Sequence, residues 1–262
     1  MGRLKITNIK KKILFVGCSF TKDCGFTEIN QLNHHWPNLL ANHYNCELKN
    51  IAIGGMSNEE IFLRATEEIL HQKYDLVIVM WSSLSRHWVY TSINNIDDFT
   101  IVNKGIVAGF NNNVSDIRQY AKIHYTLLDN LYMDLKKWLI FANTLAIVLQ
   151  DHPFIYIKGF DNLLSEFKQI NWSQSAGFES MSDTVRPILD VDNRPDDYIL
   201  TKIKTIKQLI KLLDKDYWLN FNELSFADSA VDTADDNEHP GIITNLNLVN
   251  DLIDYINYRT IL

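Results

Sequence analysis

The sequence predicts an α/β protein built on a parallel sheet. Three apolar runs carry that prediction: Ile13-Leu14-Phe15-Val16, Leu76-Val77-Ile78-Val79-Met80-Trp81 and Phe154-Ile155-Tyr156-Ile157. None alternates with polar residues, which is how strands covered on both faces read. Segments with apolar residues at helical spacing separate them. Strands alternating with helices join in parallel through right-handed crossovers.

In chain order, Ile13 to Val16 forms the first strand and Gly17 closes it. Asn33-His34-His35-Trp36-Pro37 then leads into Leu39-Leu40-Ala41. Pro37 suits a first helical turn, and this helix should reach about Tyr44. Glu47 to Ile53 reads as a second strand ended by Gly54-Gly55. Ser57 or Asn58 can cap the next helix, whose first turn holds Glu59 and Glu60 and whose apolar residues are Ile61, Phe62, Ala65, Ile69 and Leu70. Leu76 to Trp81 is the third strand. Residues 86–115 look irregular and polar, with Asn111-Asn112-Asn113 in the middle. The longest helical pattern covers 116–150, with Leu127, Leu131, Leu135, Trp138 and Ala142 near one face. After the fourth strand at 154–157, residues 160–198 lack periodicity and read as a long loop or insert. Thr201 to Leu213 is helical, Trp218 to Phe226 can hold a short fifth strand, and Pro240 to Tyr258 closes the chain as a helix. No repeat or linker demands a second domain. The expectation is one domain over residues 1–262, with inserts at about 86–115 and 160–198.

The composition is that of an ordinary globular chain: 46% apolar and 22% charged over 262 residues. The net charge is −7, and the one basic cluster, Lys10-Lys11-Lys12, reads as the solvated approach to a strand. Nucleic-acid binding therefore has no electrostatic support. Three cysteines, Cys18, Cys24 and Cys46, are too few for a closed disulfide framework and have no zinc-site spacing. There is no apolar run of signal-peptide or membrane-spanning length. A cytoplasmic protein without membrane partners is expected, in a host cytoplasm or a virion if the chain is viral. The oligomeric state is not readable.

Four patches carry the chemistry. Ser19 lies just past the first strand, where the chain turns toward a helix. Such a turn exposes a hydroxyl and aims nearby N–H groups at an oxyanion, although a serine there serves capping or phosphate binding as readily. Gly54-Gly55 offers close backbone approach, or simply a tight turn. Trp81-Ser82-Ser83 is a polar turn after the third strand. Asp236 precedes His239 by three residues, and a carboxylate on one ring nitrogen fixes the tautomer of an imidazole base. By itself that stretch also reads as a polar loop with a helix cap. Ser19, Gly55 and Ser82-Ser83 all follow the C-terminal ends of strands, where open α/β sheets bind ligands.

Taken together, the order Ser19, Gly54-Gly55, Trp81-Ser82-Ser83, Asp236-x-x-His239 resembles that of the SGNH (GDSL-like) hydrolases, over residues 13 to about 258. The resemblance implies a flavodoxin-like three-layer α/β/α sandwich with a mostly parallel five-stranded sheet. It implies Ser19 as nucleophile, His239 as base and Asp236 as its support. The oxyanion hole would comprise the amides of Ser19 and Gly55, with Gly54 as a register alternative, helped by Ser82 or Ser83. No metal or organic cofactor is required. Two departures stand out. The usual Gly-Asp-Ser is Gly17-Cys18-Ser19, where Cys18 is a small buried filler or a second thiol near the base. The usual Gly-x-Asn-Asp is Trp81-Ser82-Ser83-Leu84, so the oxyanion-hole asparagine is missing. Both variants resemble a divergent branch that includes phage-encoded members.

The activity this implies is ester hydrolysis, with an O-acyl group on a carbohydrate as substrate. The alternative is a catalytically inactive module of the same fold that binds a glycan or a protein partner, for instance in a viral particle. A nucleotide-binding reading lacks a Gly-x-Gly-x-x-Gly or Walker A sequence. Asn58 and Arg86 are candidate substrate-binding residues, with helix capping and a surface ion pair as their other readings. His34 and His35 favour surface or capping roles. His87, Trp88 and Tyr90 form either a sugar-stacking wall or the local core of an insert.

Overall fold

A computed structural model describes residues 10–22, 26, 33–91, 98–102, 130–160, 185–189, 194–213, 216–219, 224–259 and 261. The elements are β1 (Lys12–Val16), α1 (Trp36–His43), β2 (Glu47–Asn50), α2 (Asn58–His71), β3 (Leu76–Trp81), β4 (His87–Thr91), β5 (Asp98–Val102), α3 (Leu131–Val148), β6 (Phe154–Lys158), α4 (Val185–Leu189), α5 (Asp196–Leu213) and α6 (Ile242–Arg259).

Four strands form a parallel sheet in the order β2-β1-β3-β6. The chain moves outward from β1 to β2, then back across β1 to β3. With right-handed crossovers, those opposite moves place α1 and α2 on opposite faces. The packing agrees: α1 lies on β2 and α6, while α2 lies on β1, β3 and α3, and α3 carries α5. The result is the expected three-layer α/β/α arrangement.

Burial holds the centre. Ile13 to Val16 and every residue of β3 are fully buried. Fully burying one aliphatic side chain contributes about 1.5–3 kcal/mol, enough to offset the roughly 1–2 kcal/mol lost in ordering one backbone residue. β2 is an edge strand with alternating exposure. Cys18 is fully buried in the core, which makes it the small filler of the two readings above.

The structure corrects three expectations. The fifth strand reduces to a parallel bridge between Tyr156 and Trp218. Tyr156 N–H donates to the Tyr217 carbonyl at 2.8 Å, and Leu219 N–H donates to the Tyr156 carbonyl at 3.0 Å. Contact resumes where Phe226 N–H meets the Lys158 carbonyl at 2.9 Å; residues 220–223 lie outside the described residues. Second, part of the stretch read as irregular is an antiparallel ribbon of β4 and β5. Its β-branched and aromatic residues favour strand, a signal that polar neighbours masked. Third, α5 starts at Asp196 rather than Thr201. The Pro195 carbonyl accepts from Tyr198 N–H and Ile199 N–H, and two aspartates in the first turn suit the positive end of the helix. The 116–129 part of the long helical pattern, residues 103–115, and most of 160–198 fall outside the described residues. Among the described residues, no helix is long and apolar enough to cross a membrane.

Candidate active site

The C-terminal ends of the strands bring the sequence patches together. β2 keeps pairing past its last residue: Ile51 N–H donates to the Phe15 carbonyl at 3.0 Å and Ile53 N–H to the Gly17 carbonyl at 3.3 Å. The Gly54-Gly55 turn therefore sits beside the Ser19 turn. Met56 N–H closes it onto the Ile53 carbonyl at 3.2 Å. Gly55 has φ +76°, a left-handed value at the third turn position that only glycine adopts without strain.

Ser19 starts a single helical turn in which Thr21 and Lys22 N–H groups both donate to the Cys18 carbonyl at 3.0 Å. Asn50 ties this turn to β2. Its Nδ2 donates to the Thr21 carbonyl at 2.7 Å, and its Oδ1 accepts from Ala52 N–H at 3.0 Å. Among the described residues, the amides of Ser19 and Gly55 donate to no carbonyl. Ser19 is 6% exposed.

Gly17 is needed for this geometry. A Cβ there would stand 2.2 Å from Thr21 Oγ1, 2.8 Å from Thr21 Cβ and 3.1 Å from the Met80 carbonyl oxygen. Thr21 is fully buried and its Oγ1 has no partner among the described residues, so the side chain has no free space to move into. Gly17→Ala is expected to lower stability by about 1–3 kcal/mol, as overpacking does, read as a shifted midpoint in denaturant unfolding. An unchanged midpoint would show that the turn relaxes freely.

The base lies on the loop before α6. His239 Nδ1 is 2.5 Å from Asp236 Oδ2. The other carboxylate oxygen accepts from Glu238 N–H and His239 N–H, each at 3.0 Å. Asn237, between them, adopts φ +57°, which asparagine tolerates better than most residues. Burial pushes the Asp236 carboxyl up, but the two backbone N–H groups and the His239 ring outweigh it and hold its pKa below the ordinary carboxylate value. The loop is pinned at its base. Ala234 N–H donates to the His239 carbonyl at 2.8 Å, and Thr233 bridges Pro240. Asp232 caps α6, accepting from Ile243 N–H and Thr244 N–H at 2.8 Å each.

Aromatic contacts set His239 beside the Ser19 turn. The Phe20 ring, next to Ser19, meets the His239 ring edge-on at 5.7 Å. Phe160, just past β6, stacks on Phe20 at 4.5 Å, and the Arg86 guanidinium lies over Phe160 at 4.8 Å. Arg86, Phe160, Phe20 and His239 thus form one continuous row. Ser19 Oγ has no hydrogen-bond partner among the described residues, His239 included. His239 Nε2 is likewise unpartnered among the described residues, with the ring's other nitrogen held by Asp236.

The turn after β3 differs from expectation. Ser82 is fully buried; its N–H donates to Asn58 Oδ1 at 2.7 Å, and its Oγ accepts from Arg86 Nη1 at 3.1 Å. Its amide is therefore withdrawn from the oxyanion hole. Ser83 is partly exposed and its Oγ lies 3.0 Å from Ser85 Oγ. Asn58 is buried, and its Nδ2 donates to the Ser82 carbonyl at 3.0 Å. It is a strut for the turn, while Ser57 is the N-cap of α2, accepting from Glu60 N–H at 3.3 Å. His35 is buried, with Nε2 3.3 Å from the Phe20 carbonyl, rather than on the surface. Sequence reasoning missed Asn50, Phe160 and Asp232, because nothing local marks them. Among the described residues, no group of three His, Cys, Asp or Glu side chains could hold a metal ion.

No family model and no curated protein matches this sequence. Solved structures do. The psychrotrophic esterase EstA from Pseudoalteromonas sp. matches at 14% identity and a TM-score of 0.46, over 95% of this chain and 98% of that one. A catalytic mutant of Axe2, an acetylxylan esterase from Geobacillus stearothermophilus, matches at 14% identity and a TM-score of 0.44, over 94% of each chain. The acetyl xylan esterase AlAXEase matches at 14% identity and a TM-score of 0.40, over 94% of this chain and 99% of that one. The chain is similar to these esterases along nearly its whole length.

Proposed function

We propose that this chain is a serine hydrolase of SGNH type that cleaves an ester, with an O-acyl group on a carbohydrate as substrate. The observation that carries the reading is the His239–Asp236 pair at 2.5 Å, on a loop whose imidazole touches the residue next to Ser19. Ser19 Oγ attacks the acyl carbon while His239 Nε2 takes its proton. The amides of Ser19 and Gly55 receive the oxyanion, helped by the Ser82 or Ser83 hydroxyl. His239 then returns the proton to the leaving alkoxide. In the second half it takes a proton from water, which attacks the acyl-enzyme, and Ser19 regains the proton as the acid departs. Asp236 fixes the tautomer. Arg86 stands at the far end of the aromatic row, where a polar or anionic part of the alcohol would reach it. The β4–β5 ribbon begins next to it and carries Trp88 and Tyr90, residue types that suit a sugar face.

The oxyanion hole is leaner than the SGNH pattern, because the asparagine of the usual Gly-x-Asn-Asp is replaced and the Ser82 amide is spent on Asn58. Losing one such donor costs about 10²–10³ in kcat, so a slow enzyme is expected. A fluorophosphonate probe tests the reading directly. Stoichiometric labelling, mapped to Ser19 by peptide mass and abolished in Ser19→Ala, is expected. Folded protein that takes up no probe would instead favour the non-catalytic binding module.

A further inference from the structure

We propose that Asn245 and Trp36 are positioning residues that hold the base loop against the nucleophile turn, an inference that rests on the proposed hydrolase reading. Ser19 and His239 belong to segments far apart in sequence. Two buried side chains connect the backbones next to them. Asn245, on α6, is 2% exposed, and Trp36, at the start of α1, is fully buried. Asn245 Nδ2 donates to the Pro240 carbonyl at 3.0 Å and to the Gly241 carbonyl at 2.8 Å. Its Oδ1 accepts from Trp36 N–H at 3.1 Å. Trp36 Nε1 in turn donates to the Phe20 carbonyl at 2.8 Å, where His35 Nε2 also approaches.

The path therefore starts at the peptide one residue after His239 and ends at the peptide one residue after Ser19. Every polar atom of the Asn245 side chain lies on it: one oxygen accepts and one NH₂ donates twice. Pro240 and Gly241 lead into the first turn of α6, and the Gly241 carbonyl also accepts from Asn245 N–H at 3.1 Å. One buried side-chain amide thus ties the end of the base loop to the start of a second helix. The indole ring packs edge-on against Phe15 of β1 at 5.2 Å, so the tie is referenced to the sheet as well. Among the described residues, the Phe20 ring also contacts His239 directly, a contact that resists sliding less than directional hydrogen bonds do. A misplacement near 1 Å can cost on the order of 10² in rate, so this tie bears on catalysis beyond stability.

Two conservative variants separate positioning from plain stabilisation. Trp36→Phe keeps an aromatic ring and removes the donor to the Phe20 carbonyl, together with part of the buried indole volume. Asn245→Asp keeps an acceptor for Trp36 N–H and removes the donor to both loop carbonyls. The readout is fluorophosphonate labelling of the full chain, followed as rate constant and final amplitude. A merely structural role lowers the amplitude, by reducing the folded fraction, and leaves the rate constant of the folded molecules alone. The proposal predicts full amplitude with a rate constant lowered about tenfold or more in each variant. It also predicts a double variant little slower than the slower single one, since both break one path. Wild-type rate constants in both folded variants would overturn it. The tie also has a readout independent of chemistry: in ¹⁵N-labelled protein, Asn245→Asp should shift the Thr21 amide resonance, whose nitrogen is bonded to the Phe20 carbonyl carbon. An unlabelled wild type with that shift present removes the hydrolase reading and with it the catalytic role; an unmoved Thr21 resonance removes the tie itself.

Discussion

Exchange of Ser19 for alanine is expected to lower hydrolysis of a short-chain p-nitrophenyl ester by about 10⁴-fold or more, the scale on which loss of an activated nucleophile acts. The structure makes this a clean substitution. Ser19 Oγ bonds to no described residue, and the turn around it is held by backbone groups and by Asn50. Stability should therefore move by no more than about 0.5 kcal/mol, and the thermal midpoint should match wild type. Activity that remains would come from the free amides of Ser19 and Gly55, which the variant retains. Equal rates in wild type and variant, on every ester tried, would sink the nucleophile assignment.

The second large effect is expected from Asp236→Asn. An asparagine can still accept from the Glu238 and His239 amides through Oδ1, so the loop should keep its shape. Its NH₂ would then face His239 Nδ1, which must offer a lone pair there and carry its proton on Nε2. An imidazole protonated on Nε2 cannot take the Ser19 proton, and the loss should approach 10⁴, as tautomer reversal does elsewhere, to order of magnitude. The pH profile of wild type distinguishes this from melting of the loop. Because the folded Asp236 pKa is lowered, its ionised form stabilises the fold at pH values above the ordinary carboxylate value of about 3.9. That contribution is lost only as pH falls through the lower folded value. Activity lost while the pH is still well above that value would thus not come from melting of the loop. A profile that is flat from pH 5 to 8 would argue against an imidazole in the reaction.

Several of these features were legible from local sequence. β1, β3 and β6 announce themselves, because a strand buried on both faces must be apolar at every position and few other structures demand that. The Ser57 cap and the Asp236–His239 pair were readable as candidates, because each is made within four residues of chain; the structure chose Ser57 over Asn58 and pairing over a plain polar loop. The β4–β5 ribbon and the start of α5 were not, since their propensities are moderate and their neighbours polar. Where the resemblance suggested an oxyanion donor at Ser82, the fold uses that amide to receive Asn58.

By itself, then, the sequence determined a parallel sheet and the place of its buried strands. Tertiary structure alone decided which polar groups remain free to act. Asn58 and Ser82 are 24 residues apart, and Trp36 and Asn245 are 209 apart; no periodicity or spacing encodes a hydrogen bond across such gaps. A buried donor takes whichever acceptor packing places within about 3 Å of it, and packing is a property of the whole chain.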